Sequence, residues 1–416
     1  MTTYNAGTLS QWVRDDYQRR RVVGMYEEDA VDRLERLTAL LEEFVEKGPP
    51  GCACIVTRHG GMVYEKYLGY ADREKKKEIS QETIYRLFSN SKPITCAAAL
   101  ILYERGAYLL SDPLSDYLPE FKDVSVYRSA AGAAPEATPA NGPIRIVDLF
   151  TMTSGLCYPG DSPETARRTR DVLHDLDQKE GSKYDIRAAS RALAGVPLAF
   201  DPGAGWMYGT SHDVLGALIE VLSGKTLGRF MQDEIFDPLG MKDTFFRLPE
   251  EKKARLCSMY DLAPDGSLTK NSTMDANYRP DALLETGGGG LLSTIGDHSR
   301  FTQMLTCGGV LNGEQILGRK TVQLMSTNHL KPHQLAQYNW DFLAGYGYGL
   351  GVRVMMDRAA GGSNGSLGEF GWGGLAGTWA LVDPLEELSV VYAEQMIPSL
   401  EARQIPRLRN VIYGAL

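Results

Sequence analysis

The residue pattern with the clearest chemical potential is Ser89-Asn90-Ser91-Lys92, which opens an apolar segment running to Gly106. A helix that starts here presents the Ser89 hydroxyl at its end, where backbone N–H groups lack intrahelical partners and the dipole favours negative charge. Lys92 lies on the same face, with about 5–6 Å between the Cβ atoms. Because burial lowers the pKa of a lysine, a buried Lys92 would take the proton of a nucleophilic Ser89. The competing interpretation is an ordinary helix cap beside a lysine.

A second segment, Tyr208-Gly209-Thr210, follows a Pro-Gly-rich turn and precedes an apolar helix. We expect Ser211 to cap this helix and Gly224 to end it. A phenol close to a protonated lysine has its anionic form favoured, so Tyr208 would act as a base. The alternative is a tyrosine that only packs.

A third segment is glycine-rich and reads FGWGGLAG over residues 370–377, leading into a β-rich run. Glycines in an edge strand let a substrate approach the backbone closely. A strand N–H there, together with the N–H of Ser89, would form an oxyanion hole. The alternative is a β-bulge or a tight corner.

Other motif matches lack the context that their chemistry requires. A second S-x-x-K copy, Ser267 to Lys270, follows Pro-Asp-Gly and predicts a surface loop. The G-x-S-x-G match at 361–365 has no following helix, and Gly224-Lys225-Thr226 follows a helix where a phosphate loop follows a strand. The glycines at 287–290 precede a helix that we expect to be capped at Ser293 or Thr294. Of the histidines, His212 is the one candidate for a triad with serine.

The order of predicted elements places β-structure at both ends and helices in the middle. Apolar spacing predicts a helix over 27–47, a hairpin follows around His59-Gly60, and a helix covers 89–106. Residues 129–143 predict an exposed loop, β-structure returns after 345, and a helix covers roughly 400–416. Two separate domains fit this order. We favour one antiparallel sheet built from both ends (20–100 and 340–416), with a helical lobe (101–339) inserted, because each short β-region alone makes a poor sheet.

Composition is that of a soluble globular protein, with 43% hydrophobic and 23% charged residues over 416 positions. A net charge of −9 disfavours nucleic acid and anionic membranes as partners. No signal peptide or run of 18 apolar residues is visible, and the six scattered cysteines indicate buried free thiols, so we expect a cytoplasmic protein. Cys52 and Cys54 share one strand face, but no partner pair follows at zinc spacing, so we predict no metal site.

Taken together, the three motifs and their order resemble class C β-lactamases and the related penicillin-binding-protein-like esterases and transesterases. The similarity covers most of residues 50–395, in the segments YRLFSNSKPIT, LLSDPLSDYLPEF, DLFTMTSGL, PGAGWMYGTSHDVLG, DPLGMKDTFF and GGGGLLSTIGDHSRF. The resemblance implies an α/β (α+β) fold of the β-lactamase/transpeptidase type, with the site between the sheet and the helical lobe. It also implies acyl transfer through Ser89, proton transfer by Lys92 and Tyr208, and an oxyanion hole between the amides of Ser89 and Leu375, without a cofactor.

Two departures from the family pattern bear on the substrate. Thr210 stands where the lactamases have an asparagine that binds the antibiotic amide, and Trp372-Gly373-Gly374 replaces their Lys-Thr-Gly strand. Loss of a charged hydrogen bond costs about 1.5–3 kcal/mol, or about ten- to a hundredfold in binding. Trp372 instead offers apolar surface, and its Trp-Gly-Gly form resembles the carboxylesterase branch. We therefore expect a small-molecule ester substrate that contacts Thr210, Trp372, Gly373 and Gly374.

Three functions from different classes remain open at this point. The first is an esterase on small acyl esters, with or without transfer to an alcohol. The second is a β-lactamase or a D-amino-acid peptidase or amidase, which a cation in the strand motif would have favoured. The third is a catalytically silent binding module, which has no need of Ser89, Lys92 and Tyr208 together. Oligomeric state is not predicted.

Overall fold

A computed structural model describes residues 27–128, 135–180 and 183–416. The start of the chain, on which the signal-peptide prediction and the boundary at residue 20 rest, lies outside these residues. The α-helices are α1 Glu27–Lys47, α2 Lys92–Glu104, α3 Ile146–Phe150, α4 Glu164–Glu180, α5 Ile186–Ala194, α6 Ser211–Ser223, α7 Leu227–Met231, α8 Asp237–Leu239, α9 Ile295–Thr306, α10 Arg319–Met325, α11 Pro332–Leu335 and α12 Glu401–Tyr413.

The strands alternate with short turns and loops along the chain. They are β1 Gly51–Arg58, β2 Gly61–Asp72, β3 Lys77–Glu78, β4 Tyr85–Arg86, β5 Ser125–Arg128, β6 Glu136–Pro139, β7 Met259–Leu262, β8 Leu268–Asn271, β9 Leu292–Ser293, β10 Val310–Leu311, β11 Glu314–Gln315, β12 Tyr346–Tyr348, β13 Arg353–Met355, β14 Phe370–Gly373, β15 Trp379–Asp383, β16 Leu388–Ala393 and β17 Met396–Ile397.

The main sheet has eight antiparallel strands in the order β12-β13-β14-β15-β16-β1-β2-β3. Strand β1 lies beside β16, with Ala53 opposite Ala393, so the two ends of the chain meet in the middle of the sheet. This confirms the prediction of one antiparallel sheet built from both chain ends. The boundaries of the inserted lobe, 101–339, stay a prediction.

Helices cover both faces of this sheet. Helices α1 and α12 pack on one face, where Leu37, Leu41 and Leu408 bury against Cys52 and other residues of the sheet. Helix α9 lies on the other face, which carries Ala53 and Ile55. Because successive residues of β1 point to opposite sides, the strand is apolar throughout and buried on both faces.

Several predicted elements differ in detail from those observed. Ser89 belongs to a 3₁₀ turn, Phe88–Ser91, and the α-helix itself begins at Lys92. Thr210, one residue before the predicted Ser211, is the N-cap of α6, while Gly224 ends that helix at φ 69° as predicted. Part of the predicted loop 129–143 lies outside the described residues, and its residues 136–139 form strand β6, which pairs with β5. The α9 cap is Thr294, whose Oγ1 accepts from the Asp297 amide at 3.1 Å.

Candidate active site

The Ser89 hydroxyl stands at the start of α2, on a turn whose first residue has an unusual backbone. Phe88 has φ 47°, in the left-handed region that a bulky residue rarely adopts. Such a conformation costs on the order of 1–3 kcal/mol and persists where the surroundings hold it, commonly at functional sites. The Leu87 amide bonds to the Leu291 carbonyl at 2.9 Å, which fixes the entry to this turn.

The Lys92 ammonium group lies beneath Ser89 and is buried. Its Nζ donates to Ser89 Oγ at 2.9 Å, to Tyr158 Oη at 2.8 Å and to the Gly288 carbonyl oxygen. These three acceptors match the three donors of a protonated lysine. Burial lowers the pKa of Lys92, but Tyr158 and Tyr208 outweigh this effect, so its net pKa lies above the ordinary value.

The direction of this shift is opposite to the lowered pKa that burial alone predicts for Lys92. The sequence pattern correctly placed the amine one turn below the hydroxyl, but it did not predict the acceptors around the amine. With three acceptors and a raised pKa, Lys92 is an ammonium group that stabilises negative charge on its neighbours.

Tyr208 comes from the turn before α6 and meets the same lysine. Lys92 Nζ lies 4.7 Å from the centre of the Tyr208 ring, and the Tyr208 hydroxyl oxygen accepts from Trp372 Nε1 at 2.9 Å. Three segments that are distant in the sequence therefore converge, as the motif order predicted.

A second tyrosine, Tyr158, was not singled out from the sequence. It lies 66 residues from Lys92, its hydroxyl contacts Nζ directly, and its ring centre is 5.6 Å from that of Tyr208. Burial raises its pKa, and the Lys92 charge acts in the opposite direction. The one signal in the sequence was its place two residues after the family-like segment DLFTMTSGL; nothing local separates it from the other 20 of the 21 tyrosines.

The carboxyl group of Asp213 is connected to Lys92 through the backbone of Gly288. Asp213 Oδ1 accepts from the Gly288 amide at 2.9 Å, and the Gly288 carbonyl accepts from Lys92. Burial raises the pKa of Asp213, while the Gly288 N–H and the Lys92 charge lower it. The Gly288 peptide thus links the cation to a carboxyl group.

The turn at 374–378 packs against the backbone of Leu87, two residues before Ser89. The Gly374 amide bonds to the Thr378 carbonyl at 2.6 Å, and Thr378 Oγ1 donates to the Leu87 carbonyl at 2.9 Å. In the described part of the chain, neither the Ser89 nor the Leu375 amide N–H has a hydrogen-bond acceptor. A Cβ atom on Gly374 would lie 2.2 Å from the Leu87 oxygen, so this close approach requires glycine.

The strand that carries Trp372 has a free edge at the site. Strand β13 pairs only with Phe370 and Gly371, which leaves Trp372 and Gly373 without a partner on that side. Thr210 is buried, and its hydroxyl donates to the Cys157 carbonyl at 3.4 Å. The substrate contacts predicted for these residues stay predictions.

Aromatic rings extend the site beyond Tyr208. Trp206 and Trp340 have ring centres 6.2 Å and 5.2 Å from that of Tyr208, and Phe342 lies 5.6 Å from Trp340. The outer rings remain open to solvent, with 37% of Trp340 and 42% of Phe342 exposed. The sequence analysis did not single out these residues.

The side chains of the other candidate motifs are engaged in structural contacts. His212 is buried, its Nε2 is 3.2 Å from the Phe150 carbonyl oxygen, and burial together with the Lys92 charge lowers its pKa to about 3. Ser267 is exposed beside β8, and Lys270 Nζ pairs with Asp72 at 2.8 Å. The G-x-S-x-G segment is a loop in which Ser363 Oγ accepts from the Arg409 guanidinium at 2.7 Å.

All six cysteines are free thiols, as predicted, but Cys307 is exposed and corrects the expectation that all are buried. Among the described residues, no group of three or more His, Cys, Asp or Glu side chains is arranged to hold a metal ion. None of the described helices combines the length and apolar character needed to cross a bilayer.

Similarity to known proteins identifies the family of this chain. The family model described as Beta-lactamase matches residues 37–407, so the chain belongs to the β-lactamase family and is a serine hydrolase of that family. Protein Rv1367c of Mycobacterium tuberculosis is 32% identical over 84% of this chain and 86% of its own length. Esterase EstB of Burkholderia gladioli is 30% identical over 87% of this chain and 90% of its own.

A solved structure shows the same fold. EstCE1, described as a hydrolase with promiscuous acyltransferase activity, superposes with a TM-score of 0.76 at 26% identity, covering 94% of this chain and all of its own. The predicted β-lactamase/transpeptidase-like fold is therefore confirmed.

Proposed function

We propose that this protein is a carboxylesterase that hydrolyses small acyl esters through an acyl-enzyme on Ser89. The observation that carries the proposal is the hydrogen bond of 2.9 Å between Lys92 Nζ and Ser89 Oγ, beside two tyrosines. A serine beside an ammonium group and a phenolate forms an activated nucleophile with its proton acceptor.

The proposed reaction has two steps of the same kind. Ser89 Oγ attacks the ester carbonyl as its proton passes to the tyrosine–lysine pair, in which Tyr208 is a phenolate beside the Lys92 ammonium, and the amides of Ser89 and Leu375 bind the oxyanion. The C–O bond to the alcohol breaks, and the alcohol leaves with that proton. Water then attacks the acyl carbon, gives its proton to the same pair, and the acid is released as Ser89 regains a proton.

We assign the base to Tyr208 and a positioning role to Tyr158. The Tyr208 oxygen accepts from the Trp372 N–H and lies beside the Lys92 ammonium, and both groups stabilise a phenolate. Tyr158 instead has the buried Asp213 as a neighbour, which disfavours a phenolate there. Tyr158 therefore holds Lys92 in place.

The substrate class follows from the surfaces around Ser89. Trp372 offers an indole where lactamases have a lysine, and the exposed rings of Trp340 and Phe342 continue this apolar wall. Because Tyr208 returns the proton to the leaving oxygen, rings that pack on Tyr208 lie on the alcohol side of the ester. Apolar alcohols such as aryl groups fit this side, and the similarity to esterase EstB supports an ester.

The test is hydrolysis of p-nitrophenyl acetate and butyrate by the wild type and by Ser89→Ala. We expect the variant to lose turnover and the labelling of Ser89 by a fluorophosphonate probe in mass spectrometry. Ser267→Ala is the matched control, because it removes the serine of the other S-x-x-K sequence and should keep full activity. Equal rates for wild type and Ser89→Ala would refute the proposal.

The lactamase and peptidase alternatives predict a different substrate order. A chromogenic cephalosporin should react more slowly than either ester, since Trp372 supplies no cation for a substrate carboxylate. Faster turnover of the cephalosporin would reverse the substrate assignment, and absence of any turnover or labelling would favour a silent binding module. Added alcohol acceptors test acyl transfer, which the similarity to EstCE1 makes a natural second outcome.

A further inference from the structure

A small open cavity lies where α12 packs against the sheet. Arg353 and Trp379 line it from the sheet, Glu401 and Arg409 from α12, and the loop 361–363 closes one side. This is the side of the sheet opposite to the one that Trp372 presents to Tyr208, because Trp379 belongs to the core under α1 and α12. Phe342 lines both this cavity and the mouth of the proposed esterase site, but Arg353, Glu401 and Arg409 have no part in the proposed acyl transfer.

Arg353 is buried in this cavity without a polar partner. Only 4% of the residue is exposed, and its guanidinium lies 5.4 Å and 5.3 Å from the ring centres of Tyr346 and Trp379. Within the described residues, its side chain has no hydrogen-bond acceptor and no carboxylate within 4.0 Å. A buried charge without a partner is costly and calls for an explanation.

The neighbouring Arg409, in the same cavity, has a direct carboxylate partner. Its guanidinium pairs with Glu369 Oε1 at 2.7 Å and donates to Ser363 Oγ at 2.7 Å. Arg409 therefore has a carboxylate in direct contact, whereas Arg353 has none within 4.0 Å among the described residues.

Glu401 faces the same cavity and also lacks a hydrogen-bond partner among the described residues. Glu401 is the first residue of α12. It approaches strand β14 so closely that a Cβ atom on Gly373 would lie 2.7 Å from its Oε1. Burial raises the pKa of Glu401, and the charge of Arg353 acts against this. An acid and a guanidinium thus line one cavity without forming an ion pair.

We propose that this cavity binds a small carboxylate that carries an ammonium or hydroxyl group on the adjacent carbon. The carboxylate accepts the parallel N–H bonds of Arg353, a geometry that guanidinium groups match well. The ammonium or hydroxyl donates to Glu401. Such a ligand neutralises Arg353 and satisfies both side chains, which an anion or a cation alone does not. The inference is independent of the esterase proposal.

The test is calorimetric titration of the full-length protein with glycine, glycolate, propionate and ethylamine. We expect glycine or glycolate to bind, propionate to bind about tenfold more weakly through loss of one hydrogen bond, and ethylamine to give no binding. Glycine and glycolate distinguish the ammonium from the hydroxyl form of the ligand.

Variants then assign the binding to the two side chains. Arg353→Lys should weaken binding of the preferred ligand about ten- to a hundredfold, because lysine keeps the charge but loses the bidentate geometry. Arg407→Lys, on the same helix α12 but paired with Glu43, is the matched control and should bind as the wild type does. Glu401→Gln should weaken glycine more than glycolate, since a neutral amide still accepts from a hydroxyl.

Activity on p-nitrophenyl acetate and circular dichroism report whether each variant is folded. If Arg353→Lys does not fold, the Glu401→Gln comparison of glycine with glycolate decides. Absence of binding by both hydroxy and amino acids, or unchanged affinity in both variants, would overturn the inference. An inactive Ser89→Ala protein that still binds glycine or glycolate would separate this site from the esterase proposal.

Discussion

At the scale of single residues, the unusual feature is one ammonium group that serves three acceptors. Lys92 donates hydrogen bonds to Ser89, Tyr158 and the Gly288 carbonyl at once, so its charge is shared among these three acceptors. A serine hydroxyl or a lysine alone is not unusually reactive. Their contact in a buried environment matters because electrostatic interactions are stronger where water is excluded. The two tyrosines can be told apart by substitution.

We expect Tyr208→Phe to lower kcat/KM for p-nitrophenyl acetate by about 10²–10⁴-fold, the range for removal of a general base. Tyr158→Phe should cost about tenfold, because one neutral hydrogen bond to Lys92 is lost. Tyr338→Phe is the matched control: it packs in the same aromatic cluster, and its buried hydroxyl has no partner. A larger loss for Tyr158→Phe than for Tyr208→Phe would transfer the base role to Tyr158.

At the scale of elements, the turn after β14 matters as much as the helix that carries Ser89. Its Thr378 side chain bonds to the Leu87 carbonyl, which joins the Gly-rich turn to the segment preceding the nucleophile. The position of the Leu375 amide therefore depends on how closely two backbones approach.

Gly374→Ala should lower kcat by about 10²–10³-fold, as expected when one oxyanion donor is misplaced. The new Cβ would lie 2.2 Å from the Leu87 oxygen and 2.2 Å from Thr378 Oγ1, so the turn must move. Gly61→Ala is the control in the same sheet, since its nearest atom is 3.7 Å away. Steady-state kinetics with melting temperatures will separate a displaced turn from lost folding; unchanged kcat would remove Leu375 from the mechanism.

The segment that carries Trp340 and Phe342 determines which alcohol groups of the ester are preferred at the mouth of the site. Trp340→Ala should raise KM for aryl esters by up to about tenfold, because roughly 50 Å² of apolar contact at about 25 cal/mol per Å² is lost. Leu385→Ala removes an exposed apolar side chain from the β15–β16 turn and should leave KM unchanged. Equal KM values for aryl and ethyl esters in wild type would contradict an alcohol site at Trp340.

At the scale of the whole molecule, stability depends on a sheet whose centre joins residues more than 300 positions apart. Glu394 follows the central strand β16 and is buried, and its Oε2 accepts from the Tyr392 hydroxyl at 2.6 Å. Burial raises its pKa to about 8, against an ordinary value of 4.5; Tyr392 and Gln404 oppose this, and Glu401 adds to it. The core thus holds a carboxyl group that prefers to be protonated.

The sign of the resulting pH dependence follows from that raised pKa. The neutral carboxyl contributes fully to stability below the unfolded pKa, and this contribution is lost as the pH rises from about 4.5 through about 8. Glu394→Gln keeps an acceptor for Tyr392 and should raise the free energy of unfolding by a few kcal/mol at pH 9, but by little at pH 5. Urea unfolding at both pH values measures this, with Glu46→Gln on α1 as control; an equal gain at both pH values would contradict it.

Much of this protein was determined by local sequence alone. The S-x-x-K spacing places an amine below a hydroxyl through helix geometry, which needs no distant residue. The Gly-rich segment, the order of elements and the family-like segments predicted the antiparallel sheet from both ends and the serine hydrolase family, which the fold and the family match confirm.

Only the tertiary structure decided what surrounds those groups. Tyr158 reaches Lys92 across 66 residues, and its contact raises the pKa of Lys92 against the effect of burial. Arg353 and Glu401 likewise come from the sheet and the last helix, and nothing in their sequence neighbourhoods indicates a shared cavity. The physical reason is that electrostatic environment depends on burial and on neighbours in space, whereas sequence spacing fixes only neighbours along one helix or strand.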